Sequence, residues 1–136
     1  MNKKYNTDIE IINASTCLLL AISDADESID ENELKIIKDI ISDFFNTKLL
    51  DLDDLMKKNI KTFKESTDFY VFGKILNDNF SYQDKVDFIC CAFEVAFIDS
   101  KMDYHEEHLI KKISNVLNVE HADLINAKNE IKKFLL

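Results

Sequence analysis

Proline is absent from this chain of 136 residues, and Gly73 is its one glycine. Tight sheet turns and phosphate-cradling loops depend on glycine, where the backbone must reach conformations closed to other residues. A chain almost without it is expected to build helices joined by short polar connections. Ten phenylalanines and 46% hydrophobic residues suffice for the core of one domain at this length. No linker, low-complexity segment or second domain stands out, so residues 1–136 are expected to fold as a single domain.

Apolar periodicity and capping residues place about seven helices. Thr7 or Asn6 is positioned to cap the first, which carries Ile9, Ile12, Leu19 and Ile22 and ends near Ser23. Asp30 opens the second, and Glu33, three residues on, completes a capping-box spacing. Its apolar face is Leu34, Ile37, Ile40, Ile41 and Phe44. Asp51 caps a short third helix with Leu55, Met56 and Ile60, and Ser66 or Thr67 starts a fourth with Phe69, Phe72 and Leu76. Ser81 with Asp84 opens a long fifth through Ile89, Phe93 and Phe97. Asp103 with Glu106 opens the sixth, and Glu120 or His121 the seventh. Short connections favour antiparallel neighbours, giving an all-α compact bundle.

Charge narrows the partners. A net charge of −9 opposes binding to a phosphate backbone or an anionic membrane surface. All seventeen basic residues are lysines, so no guanidinium is present for bidentate recognition of phosphate or bases. Nucleic acid is therefore not an expected partner. The near-apolar run from Ala14 to Ile22 is too short to span a bilayer. Asp8 and Glu10 interrupt what would be the positive region of a secretory leader. Cys17, Cys90 and Cys91 form no CxxC pair and lie in apolar stretches, as buried thiols of a reducing cytoplasm do.

One pattern recurs. "SDADESIDENE", from Ser23 to Glu33, carries six carboxylates and no base, and "FIDSKMDYHEE", from Phe97 to Glu107, repeats much of it. At an offset of 73, Asp26, Asp30 and Glu33 fall on Asp99, Asp103 and Glu106, Ile37 falls on Ile110, and Cys17 falls on Cys90. The first and second helices and the fifth and sixth thus read as two copies of one acidic helix-loop-helix unit.

Steps of four and three residues can gather a trio of carboxylates around one point, and hard cations take oxygen ligands of this kind. Neither loop is an EF-hand. A frame starting at Asp24 puts Ile29 at the turn glycine and Lys35 at the bidentate glutamate, and a frame starting at Asp26 puts Glu31 and Ile37 there. Capping alone accounts for Asp30, Glu33, Asp103 and Glu106, because each stabilises a helix N-terminus by roughly 0.5–1 kcal/mol. It does not account for Asp26 and Asp99, for which an Asx-turn is the simplest structural use. His105 and His108 lie three apart, not in HExxH spacing, and a zinc site there needs Asp103, Glu106 or a distant ligand. Exposed helix histidines are the commoner arrangement, and His121 reads as a surface residue near a cap. No glycine-rich loop, nucleophile elbow or activated serine is present, so no enzymatic activity is expected.

The block "AFEVAFIDSKMDYHEEHLIKKISNVLNV", Ala92 to Val119, resembles the second half of the tellurite-resistance TerB-like family. In that family a helix ends in Ala-x-x-Asp-Gly and is followed by Leu/Ile-Asp-x-x-Glu. "LLLAISDADESIDENELKIIKDII" resembles the family's other copy, so the resemblance covers nearly the whole chain. It implies an all-α fold of about seven helices, a bacterial cytoplasmic or membrane-peripheral setting and a link to stress response. It also implies a metal-binding patch at Asp26, Asp30, Glu33, Asp99, Asp103 and Glu106, for Ca²⁺, Mg²⁺, Mn²⁺ or Zn²⁺. Glu27 and Ser100 stand where the family has glycine, and their side chains restrain those loops from left-handed backbone. Two expectations follow: a small acidic module binding a divalent cation, and a metal-independent helical module whose acidic face and Phe69, Tyr70 and Phe72 meet a protein partner.

Overall fold

A computed structural model describes residues 8–23, 30–66, 68–98 and 104–135. Seven helices fill them: α1 (Ile9–Ser23), α2 (Glu31–Phe44), α3 (Leu52–Glu65), α4 (Tyr70–Asn79), α5 (Tyr82–Ala96), α6 (Tyr104–Val116) and α7 (His121–Leu135). No strand occurs among the described residues.

The organising element is α1. It is expected to be one-sided, yet every residue from Ala14 to Ser23 is buried, and of the expected face only Ile9 is exposed. A helix apolar all round has to be enclosed, and α2, α3, α4, α5 and α6 all pack on this one. Its few polar groups are satisfied locally. Ser15 Oγ donates to the Ile11 carbonyl at 2.9 Å, and Thr16 Oγ1 to that of Ile12 at 2.8 Å. Asn59 of α3, 3% exposed, donates to Asn13 Oδ1 and to the Leu55 carbonyl, while the Cys17 thiol donates to Asn59 Oδ1. α7 lies on α5 at the edge of the bundle, and Phe44, Phe45, Phe80 and Phe88 join α2, the end of α4 and α5 in one aromatic cluster.

Caps account for most boundaries. Asp30, Asp51 and Ser81 accept the N–H three residues on, as their spacing predicts. Asn6, Thr7 and Thr67 lie outside the described residues, and Asp8 Oδ1 accepts from Glu10 N and Ile11 N at the start of α1. α4 departs from expectation. Ser66 ends α3 instead, its hydroxyl donating to the Thr62 carbonyl. The cap position of α4 is Phe69, without a side-chain bond, and Asp68 accepts from Tyr70 N–H at 2.9 Å. α3, expected to be short, runs fourteen residues. Without a glycine to end α6, Asn118 takes the left-handed conformation (φ 58°), and Val119 N–H reaches back to the Ser114 carbonyl.

Candidate functional site

The six carboxylates expected at a metal site divide between described and undescribed residues. Asp26, Asp99 and Asp103 lie outside the described residues, as do Glu27 and Ser100. Asp30, Glu33 and Glu106 are described, all at helix starts. Asp30 is exposed and extended at the cap of α2, and its Oδ1 accepts Glu33 N–H at 2.8 Å. That bond occupies one carboxylate oxygen and leaves Oδ2 to face another group, so capping and cation ligation are compatible in this side chain. Glu33 is 6% exposed, deeper than a surface cap requires, and Glu106 is half-buried in the first turn of α6. Asp30 and Glu33 are brought together by the cap. No group of three or more His, Cys, Asp or Glu side chains suited to hold a metal ion forms among the described residues.

The histidines are exposed. Tyr104 stacks on His108 with rings 6.0 Å apart at 6° and meets His105 edge-on at 6.0 Å. His121 opens α7 at the surface, as expected. The surroundings of the thiols favour the protonated form. Burial pushes Cys17 and Cys90 up to about 11 and Cys91 up to about 12, with nearby carboxylates adding to the latter two. Cys17 is buried as expected, whereas Cys90 and Cys91 are only half-buried.

Two features escaped the reading of the sequence. One is an acidic seam between α2 and α5, where Asp43, Asp84 and Asp87 surround Phe44. Glu94 joins it, and burial first, then the charge of Asp43, holds its carboxyl above the usual range. Asp84, Asp87, Cys91 and Glu94 recur at helical spacing, a legible stripe, but only folding brings Asp43 to it. The other is a cleft between α4 and α6 lined by Phe69, Tyr70, Gly73, Leu109 and Val116. Phe69 and Tyr70 stand among the contact residues expected from the sequence, and the lone glycine is the cleft's other trace there. A Cβ on Gly73 would lie 2.7 Å from Val116 Cγ1, so the two helices approach here because that atom is missing.

Among the described residues, no helix is long and apolar enough to cross a membrane. The family model described as "Tellurite resistance protein TerB" matches residues 13–129, from within α1 to within α7 and thus across all seven helices. No curated protein and no solved structure matches the chain.

Proposed function

Since the chain belongs to the tellurite-resistance TerB family, we propose that it is a non-enzymatic cytoplasmic module that takes up a divalent cation through its acidic interhelical loops. The ligands are Asp26, Asp30 and Glu33 before and within α2, and Asp99, Asp103 and Glu106 before and within α6. The observation that carries the reading is Glu33. Its carboxylate is 6% exposed, three residues after the cap aspartate Asp30, whose Oδ1 accepts the Glu33 N–H at 2.8 Å. Two carboxylates this close repel unless a cation joins them, and hard cations take oxygen ligands of this kind. Ca²⁺, Mg²⁺ and Mn²⁺ suit an all-oxygen set, and Zn²⁺ would recruit His105 or His108.

Thermal unfolding of metal-stripped protein, titrated with each ion beside the Asp26→Asn/Asp99→Asn double variant, tests this. A ligand at 100-fold above its dissociation constant adds about 2.7 kcal/mol. The expected result is a saturable rise for one ion that the double variant loses. A melting temperature indifferent to all four ions overturns the reading. A second reading is favoured by one observation, the exposure of Tyr70 and Val71 at the start of α4 beside half-buried Phe69 and Phe72. Those side chains would contact a protein partner whose basic residues meet the acidic surface, and that binding would be salt-sensitive and indifferent to chelator.

A further inference from the structure

The cleft between the start of α4 and α6 has a volume of about 380 Å³. Phe69 and Tyr70 form one wall, and Leu109, Ile113 and Val116 the other. Gly73 and Val116 both line it, and the Val116 side chain packs against the bare backbone of Gly73 where the two helices meet. The volume falls within the range of small-molecule sites, about 300–1,000 Å³. A docked helix of about 10 Å diameter, rising 1.5 Å per residue, would fill it within about three residues. The space therefore suits a compact molecule better than a partner helix.

Two charged side chains stand on the rim, and they are not equivalent. Asp68 is committed to α4, its Oδ1 accepting the Tyr70 N–H at 2.9 Å. Lys112 is uncommitted. Lys38, Lys58, Lys74 and Lys128 each hold an aspartate or glutamate, whereas Lys112 has no ion-pair partner among the described residues. An ammonium without a counter-ion over an apolar trough repels a cation and complements a negative head on an apolar body. We infer that this cleft binds a small amphipathic carboxylate, its hydrocarbon or aromatic body against Phe69, Leu109 and Val116 and its carboxylate on the Lys112 ammonium. None of the six proposed cation ligands lines the cleft, and its binding does not depend on any cation they hold.

Octanoate and octan-1-ol, which share a chain and differ in head, are the probes. Each is titrated into isotopically labelled full-length protein while backbone amide signals are followed. The expected result is saturable shifts centred on residues 69–73 and 109–116, with octanoate bound more tightly than the alcohol. Lys112→Glu, a change on an exposed side chain, weakens octanoate by about fivefold or more and leaves octan-1-ol within about twofold. Leu109→Trp, which fills the trough, abolishes binding of both. Shifts absent or scattered over the surface overturn the proposal. So does equal binding of the two probes, which would mark the cleft as a merely apolar patch, and so does octanoate binding unchanged in Lys112→Glu. Because the charge-reversed variant and the alcohol test the head group separately, a Leu109→Trp protein that failed to fold would not rescue the proposal.

Discussion

Asp30 serves one role visibly and is assigned a second, and a single oxygen separates them. Its Oδ1 accepts the Glu33 N–H, a cap worth about 1 kcal/mol. Asparagine keeps that acceptor and removes the charge, so Asp30→Asn should melt within about 2 °C of the parent in chelator, while Asp30→Ala loses about 1 kcal/mol. If the acidic loops bind a cation, Asp30→Asn should also lose part of the metal-induced rise; an asparagine variant that keeps the full rise would remove Asp30 from the ligand set. Gly73 poses the opposite problem, because it is the absence of atoms that matters. Alanine is favoured over glycine in a helix by about 1 kcal/mol, but its Cβ would meet Val116 Cγ1 at 2.7 Å. Valine is stiff at χ1 in a helix, and overpacking costs about 1–3 kcal/mol. Gly73→Ala should therefore destabilise by about 1 kcal/mol in chemical denaturation. Adding Val116→Ala should return the helix-propensity gain, and a Gly73→Ala variant more stable than the parent would mean that α4 and α6 move apart freely.

At the scale of the elements, physical chemistry is legible in the sequence wherever it is local. The caps of α2, α3 and α5 follow from Asp30, Asp51 and Ser81, because a side-chain oxygen bonding an N–H three residues away needs nothing from the rest of the chain. What periodicity cannot give is how many sides of a helix are covered. Ile9, Ile12, Leu19 and Ile22 mark one stripe of α1, but Ser15, Thr16 and Cys17 are buried as well because five helices surround it. The start of α4 is illegible for a related reason, since Ser66 is drawn to the α3 backbone and Asp68 takes over the N-terminal bond. The acidic loops are conspicuous as sequence, but the positions of Asp26, Asp99 and Asp103 fall outside the described residues. The end of α6 offers a clean element-level test. Asn118 holds a positive φ that costs a residue with an ordinary Cβ roughly 1 kcal/mol, and its Nδ2 donates to Asn77 Oδ1 at 3.2 Å. Asn118→Ala should lose about 1–2 kcal/mol. Asn118→Gly should lose less than the alanine variant, since glycine accepts the backbone but not the side-chain bond. Equal losses would show that the bond to Asn77, not the backbone, decides.

Across the whole molecule, a net charge of −9 is unevenly answered. Four lysines pair with carboxylates at Asp53, Asp54, Asp78 and Glu107, yet Asp43, Asp84, Asp87 and Glu94 have no ion-pair partner among the described residues. The α2–α5 seam is thus where like charge accumulates, and Glu94 registers it: burial, then the Asp43 charge, raises its pKa. A carboxyl whose pKa is raised by folding binds its proton more tightly in the folded state. Its ionisation therefore opposes folding once the pH exceeds the ordinary glutamate value of about 4.3, and the full penalty holds above the raised value. Asp53 behaves with the opposite sign, because hydrogen bonding to Lys38 lowers its pKa and that pairing is lost in acid. Only a difference between variants isolates Glu94. Glu94→Gln should melt about 1–3 °C above the parent at pH 7, and the gap should close as the pH falls toward 4. Asp43→Asn should reproduce part of the gain, and the double variant should gain less than the two singles together, because each relieves the same repulsion. A Glu94→Gln gain that stayed constant from pH 7 to pH 4 would assign the effect to packing and remove charge from the account of the seam.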